Sequence, residues 1–328
     1  MQRHQGQSSV RDAASVAWLS GGLVALTFLL ILIGVLVRAT GSGLGCGTAG
    51  GWHDWPLCDG GVVPPPITQA IIEYSHRILA FLLTVGTLAI GAVVARSATL
   101  RQRLAGSASL AIALLVAQIF LGAVTVRMLL PDRQIDPTFI VVHLGAAMAF
   151  FGTVLVLALE TQERLHPRKV ASHPGFLAPL AGGVAIAVYL QTLIGGMVAA
   201  NNAGLACPDF PLCNGVLVPT LDGLVGLQVI HRLGAFTVVA LVLAFAGAAW
   251  RHVGPARSGA LAAVILVAGQ FALGVTNVLE RLPLVVQIAH LGVAFLLFGV
   301  LVATAFALRR PRDIALPGTT DPLAARGG

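Results

Sequence analysis

The sequence predicts an all-α integral membrane protein of eight transmembrane helices, built as two tandem, pseudo-symmetric four-helix bundles with both termini cytoplasmic. Three observations carry this expectation. Of the 328 residues 57% are hydrophobic and only 10% charged, whereas a soluble domain needs about a quarter of its residues charged. Eight apolar runs are each long enough to cross a bilayer, which takes about 20 residues. The second half of the chain also repeats the first. This composition excludes an ordinary soluble enzyme and a disordered chain.

The runs fall at approximately 17–38, 67–95, 105–127, 137–159, 175–199, 221–248, 257–279 and 285–308. Backbone groups in lipid must be satisfied within the segment, so these runs read as helices, and the period-two polarity of a membrane β-barrel is absent. The first run is too long for a cleaved signal peptide, and no small-residue cleavage pattern follows it. Around the runs lie an N-terminal tail (1–16), a charged linker (160–174) and a C-terminal tail (309–328). They leave an N-terminal half at 17–159 and a C-terminal half at 175–308.

Charge sets the expected orientation. Arg3, Arg11, Arg96, Arg101, Arg103, Arg164, Arg168, Lys169, Arg251, Arg257, Arg309, Arg310, Arg312 and Arg326 fall on one side; Arg38, Arg127, Arg133 and Arg281 fall on the other. The positive-inside rule makes the richer side cytoplasmic. The net charge of +7 is thereby a topology signal, and no nucleic-acid partner is expected. All four cysteines then lie outside, where disulfides persist. Cys46–Cys58 and Cys207–Cys213 are the economical pairing, with four free thiols as the alternative.

The repeat fixes the architecture. IGVLVRAT at 33–40 matches IGGMVAAN at 194–201, and DWPLCDG at 54–60 matches DFPLCNG at 209–215. His76-Arg77 matches His231-Arg232, Gln118 matches Gln270, and His143-Leu-Gly matches His290-Leu-Gly. Four helices per half is an even number, so both halves enter from the same side: a parallel repeat.

Ionisable residues inside membrane helices are costly and become functional candidates. His4, His53, His166, His173 and His252 lie in loops or tails, while His76, His143, His231 and His290 sit one on each even-numbered helix. At 1.5 Å per residue all four lie roughly 9–15 Å below the outer helix ends. Two histidines per half can thus face each other across a bundle, where cofactors are held. Zinc or copper sites want more, closer ligands. Two imidazoles in an apolar, glycine-rich surround suit a haem iron instead, with Gly122, Gly145, Gly274 and Gly292 either admitting the macrocycle or packing helices. Arg77 and Arg232 are expected either to meet haem propionates or to snorkel to the interface. Glu73 lies one turn before His76, where the other half has Gln228. An acid beside a haem edge can move protons or stabilise a carbocation-like oxidation product. The N-terminal half is therefore expected to do chemistry and the C-terminal half to store or relay electrons.

VRATGSGLGC at 37–46, DWPLC at 54–58, EYSHR at 73–77, HLG at 143–145, CPDFPLC at 207–213, HR at 231–232 and HLG at 290–292 together resemble the haem A synthase family, over about 20–308. The resemblance implies oxidation of a methyl group of haem O to the formyl group of haem A, for use in terminal oxidases. It implies haem b as cofactor on His231 and His290, the substrate haem iron on His76 and His143, and Glu73 as the essential carboxylate. Haem O synthase, a membrane electron acceptor and the lipid bilayer are the implied partners, and homo-oligomerisation is left open. Cys207–Cys213 would be a structural staple. Six extra residues separate Cys46 from Cys58, a departure from the family's usual spacing that leaves a redox role for that pair open. With one lysine against nineteen arginines and no long Arg/Ser-rich transit segment, the expected location is a bacterial plasma membrane, cysteine loops outward. A di-haem, quinone-linked cytochrome and a haem transporter are the competing readings. Glu73 against Gln228 counts against the first, and the lack of midplane helix breaks counts against the second.

Overall fold

The helices run α1 (Gln2–Ala39), α2 (Thr68–Arg96), α3 (Ala98–Arg127), α4 (Pro137–Leu165), α5 (Leu177–Ala200), α6 (Gly223–Ala249), α7 (Pro255–Leu279) and α8 (Leu284–Leu308). All eight are long and apolar enough to cross a membrane. This computed structural model describes residues 2–47, 53–127, 136–166 and 175–309, with the backbone alone at 2–9 and 126–127. Arg133, Arg168, Lys169, Arg310, Arg312 and Arg326 of the orientation count lie outside these residues, as does His173; the side chains of Arg3, His4 and Arg127 do too. Among the described residues no strand forms beyond two isolated bridges, Cys58–Gly61 and Cys213–Val216.

The ends of the helices follow local chemistry. Asp136 caps α4 by accepting from the Thr138 N–H at 2.8 Å, and Pro137 follows at the first position, where its missing N–H has no cost. Gly41 and Asn202, at φ of 65° and 54°, end α1 and α5 in the left-handed region, then lead into matching 3-10 turns at Ser42–Leu44 and Ala203–Leu205. Three boundaries differ from expectation. Helix α4 runs on to Leu165 rather than 159, into the expected linker, while α1 begins at Gln2 rather than near 17 and α3 at Ala98 rather than 105. The reason for the two early starts is packing: Ala13 and Val16 of α1 are fully buried in one cluster with Leu100 and Leu104 of α3, so both polar-looking starts carry an apolar stripe.

Within the N-terminal half α1 packs on α2, α2 on α3, α3 on α4 and α4 back on α1; α5 to α8 close the same ring. Outward faces are apolar at mid-helix, as with Phe81 and Phe120, 65% and 66% exposed. A soluble protein rarely exposes such a surface contiguously, whereas lipid favours it. The large buried side chains of each ring concentrate at one end. The buried cluster of the first half runs through Leu83, Ile90, Leu104, Phe150 and Leu157. That of the second runs through Val242, Phe245, Ala260, Phe295 and Leu301. Both lie at the end remote from the cysteine loops.

The halves meet through α1, α4, α5 and α8, and the contacts recur with the halves exchanged. A Cβ on Gly152 would meet Phe298 Cε1 at 3.1 Å, and one on Gly299 would meet Phe151 Cε1 at 3.2 Å. Gly145 faces Tyr189 and Leu193, and Gly292 faces the repeat counterparts Phe28 and Leu32. Small residues let helices approach closely in lipid. Overpacking such a contact costs about 1–3 kcal/mol. Gly152→Val is therefore expected to lower the thermal unfolding midpoint in detergent, while Gly182→Val, whose Cβ has nothing within 4 Å, leaves it unchanged.

Candidate functional site

The other end of each bundle, toward the cysteine loops, holds the histidines. Core packing stops short of them: Leu83 lies about two turns beyond His76, and Val238 about two turns beyond His231. Each imidazole is backed by a glycine of the preceding helix. A Cβ on Gly34 would meet His76 Cε1 at 3.5 Å, one on Gly122 would meet His143 at 3.7 Å, one on Gly195 would meet His231 at 2.8 Å and one on Gly274 would meet His290 at 3.2 Å. His76 lies within electrostatic reach of His143, and His231 within reach of His290. The structure thus brings together the two pairs expected from sequence.

Glutamines brace three of the histidines, two of them through the ring. The Gln191 amide donates to His231 Nδ1 at 2.9 Å and to its carbonyl at 2.7 Å. Gln118 donates to the His143 carbonyl at 2.8 Å, and its counterpart Gln270 donates to His290 Nε2 at 3.2 Å. The Nδ1 atoms of His76, His143 and His290 are buried without a hydrogen-bond partner. Buried polar atoms are normally satisfied. Orphaned imidazole nitrogens in glycine-lined space, with no thiolate and no third ligand nearby, fit a haem held by paired histidines. Among the described residues no group of three or more His, Cys, Asp or Glu could hold a bare metal ion.

Over each open end lies a cysteine loop, and both disulfides are formed: Cys46–Cys58 and Cys207–Cys213, separated by 12 and 6 residues. The loops share their backbone. Both contain a cis peptide, Trp55–Pro56 and Phe210–Pro211, and left-handed pairs follow at Asp59-Gly60 and Asn214-Gly215. The second α-helix of each half pins its loop. Glu73 is buried, with Oε2 accepting from the Cys46 N–H at 2.8 Å and Oε1 paired with Arg77. Gln228 Oε1 accepts from the Cys207 N–H at 2.7 Å, and its amide donates to the Gly204 carbonyl at 2.8 Å. Arg77 donates to the carbonyls of Asp54 and Leu57. Arg232 donates to those of Cys207, Asp209 and Leu212 at 2.7–2.8 Å.

Three of these placements depart from expectation. Arg77 and Arg232 do not snorkel: the carbonyls of a tight loop turn toward the helix and take several of their guanidinium donors. Gly145 and Gly292 pack the two halves together and open no space beside a histidine; only Gly122 and Gly274 of the four glycines do so. Glu73, expected to do chemistry, also locks its loop through the Cys46 N–H. Two features went unseen: Gly34 and Gly195, which lie on the helix before each histidine, and Arg38, which crosses between the halves. The repeat alignment IGVLVRAT/IGGMVAAN contained the glycine pair, but not what it faces. A groove of about 510 Å³ between α4, α5 and α8, lined by Ala149, Tyr189, Phe298 and Arg309 among others, lies toward the remote end and contains none of the histidines.

Outside the spans, Asp209 accepts from the backbone N–H groups of Gly215 (2.8 Å) and Asn214 (2.7 Å), and these bonds, the Gly215 one foremost, hold its carboxyl below the usual aspartate range. A depressed folded-state pKa stabilises the loop above the unfolded value and loses that contribution as pH falls through the folded one. Amide exchange at Asn214 and Gly215 is therefore expected to rise below about pH 4, and Asp209→Ala should raise exchange above that pH and remove this step.

A family model described as "Cytochrome oxidase assembly protein" matches residues 67–302. A protein named "Heme A synthase" from Symbiobacterium thermophilum is 36% identical over 290 residues, 84% of this chain and 90% of its own. Proteins with the same name from Halalkalibacterium halodurans and Shouchella clausii are 30% and 33% identical, covering 90% and 86% of this chain and 97% and 93% of theirs. With the histidine pairs, the repeated loops and eight apolar helices in place, the chain belongs to the haem A synthase family.

Proposed function

We propose that this chain oxidises the methyl group of haem O to the formyl group of haem A, in the outer half of a bacterial plasma membrane. In this reading the N-terminal half receives the substrate, with His76 and His143 on its iron, and the C-terminal half holds haem b between His231 and His290. Bound there, haem b supplies a one-electron redox couple. The cysteine loops face the extracytoplasmic side.

The observation that carries the reading is the comparison of Glu73 with Gln228. Both side chains lock their loop by accepting from the N–H of the first cysteine, so an amide suffices for the lock. Arg232, likewise, meets its loop carbonyls with no acid at 228. A buried carboxylate at 73 is thus not required by the fold, and an acid in a membrane helix needs a reason. One turn outward from His76, it stands between the substrate site and the loop, where it can accept protons released as the methyl carbon is oxidised. Arg77 fixes its orientation, the pinned loop shields it from water, and the packed far end of the bundle closes the site from below. Gln191 fixes the His231 ring, which keeps the C-terminal ligand set in one geometry.

Glu73→Gln separates lock from chemistry, since the amide reproduces the Gln228 contact. The variant is expected to fold and retain haem b while haem A formation falls about 100-fold or more, the scale of lost general acid–base catalysis. Pigment extraction measures both, and undiminished haem A would end the role for Glu73. His231→Ala should remove the haem b absorption bands; their persistence would overturn the cofactor assignment.

A further inference from the structure

Arg38 belongs to the first half by sequence and to the second by contact. It sits in the last turn of α1, four residues after Gly34, which backs His76. Its guanidinium leaves that bundle: one NH donates to the Ala199 carbonyl at the end of α5 and the other to Gln287 Oε1 of α8, both at 3.0 Å. Ala199 lies one turn outward from Gly195, which backs His231, and Gln287 lies three residues outward from His290. The charge therefore stands one turn above the C-terminal histidine pair, on its loop side.

Among the described residues it also lacks a counter-charge. Arg77 has Glu73, Arg232 is near Asp209, and Arg281 is exposed to solvent. Among the described residues no carboxylate lies within ion-pair distance of Arg38. A carbonyl and an amide oxygen satisfy two of its five N–H donors and none of its charge. A partly buried guanidinium at the edge of a membrane site is the residue type that binds a carboxylate, by charge and by its fork. Arg77 and Arg232 are already committed to loop carbonyls. The repeat counterpart of Arg38 is Ala199, so the N-terminal site receives no equivalent cation.

Resting on the assignment of haem b to the C-terminal half, we infer that Arg38 pairs with a propionate carboxylate of that haem, reaching across from the other half of the chain, and that this pairing retains the resident haem while the N-terminal haem, with no such partner, exchanges. Arg38 is a binding residue here. Filling the C-terminal site then also draws α1, α5 and α8 together at the loop end.

The test uses the full-length protein with haem b bound, in detergent, and follows haem loss to an excess of a haem-scavenging apoprotein, together with the midpoint potential of the bound haem. Arg38→Gln keeps a hydrogen-bonding amide but removes the charge; haem loss should quicken about tenfold or more, the scale of one lost charge-assisted contact, and the potential should fall as a cation leaves the site. Arg38→Lys keeps the charge and should restore most of both. Gln287→Leu breaks one junction bond and keeps the charge, and should retain haem like the unaltered protein. Unchanged haem loss and potential in Arg38→Gln would overturn the inference alone. Equal loss in Arg38→Gln and Gln287→Leu would also overturn it, in favour of a purely structural junction. Absence of haem b from the unaltered protein would overturn the cofactor assignment beneath it.

Discussion

In a hydrocarbon surround a polar group without a partner costs several kcal/mol, and that constraint places nearly every polar side chain in this structure. Thr27, Thr87, Thr161 and Thr192 each return their hydroxyl to the carbonyl four residues back. Arg77 and Arg232 spend their donors on loop carbonyls. Glu73 and Gln228 take up the N–H groups of Cys46 and Cys207. Among the buried polar atoms left without a partner are the Nδ1 atoms of His76, His143 and His290 and the Oε1 atoms of Gln191 and Gln270, and these gather at the two histidine pairs. A site here is marked as much by what the packing leaves open as by which residues line it.

The two halves repeat each other closely in what supports the site. The glycine behind each histidine, the clamp arginine, the cis proline and the left-handed loop pair all occur twice, and the junction contacts recur with the halves exchanged. The departures therefore carry information. Glu73 against Gln228 gives one half a titratable group. Arg38 against Ala199 gives the other half a second cation. Tyr189 against Phe28 adds a hydroxyl that donates to the Gly145 carbonyl at 3.2 Å, next to His143 and across the junction. Duplicate bundles with swapped charges are suited to two haems that do different things.

Much of this was legible in the sequence because it depends on local pattern. Apolar runs, basic loops and the repeated HR and HLG segments are one-dimensional signals, and they gave all eight helices, five of them with both ends within two residues, and both disulfides. The exceptions share a cause. The start of α1 reads as polar until Ala13 and Val16 meet Leu100 and Leu104. Gly145 and Gly292 flank histidines in sequence yet point to the opposite bundle. Arg38 counts as one more outer charge until α5 and α8 close around it. Each depends on which face of one helix meets a helix far away in sequence, and neither period nor composition encodes that.

The same geometry bears on why one chain carries both halves. A four-helix ring with a packed floor and a clamped loop is complete within each half. What a single bundle lacks is the asymmetry supplied across the junction: α1 sends its terminal arginine to the second site, and α5 sends a tyrosine toward the first. Two copies associating as identical partners would impose these contacts on both sites equally or on neither. Fusion into one chain frees positions 38 and 199, 28 and 189, and 73 and 228 to differ, and under the proposed assignment that difference is what lets one site bind its haem for turnover while the other keeps it.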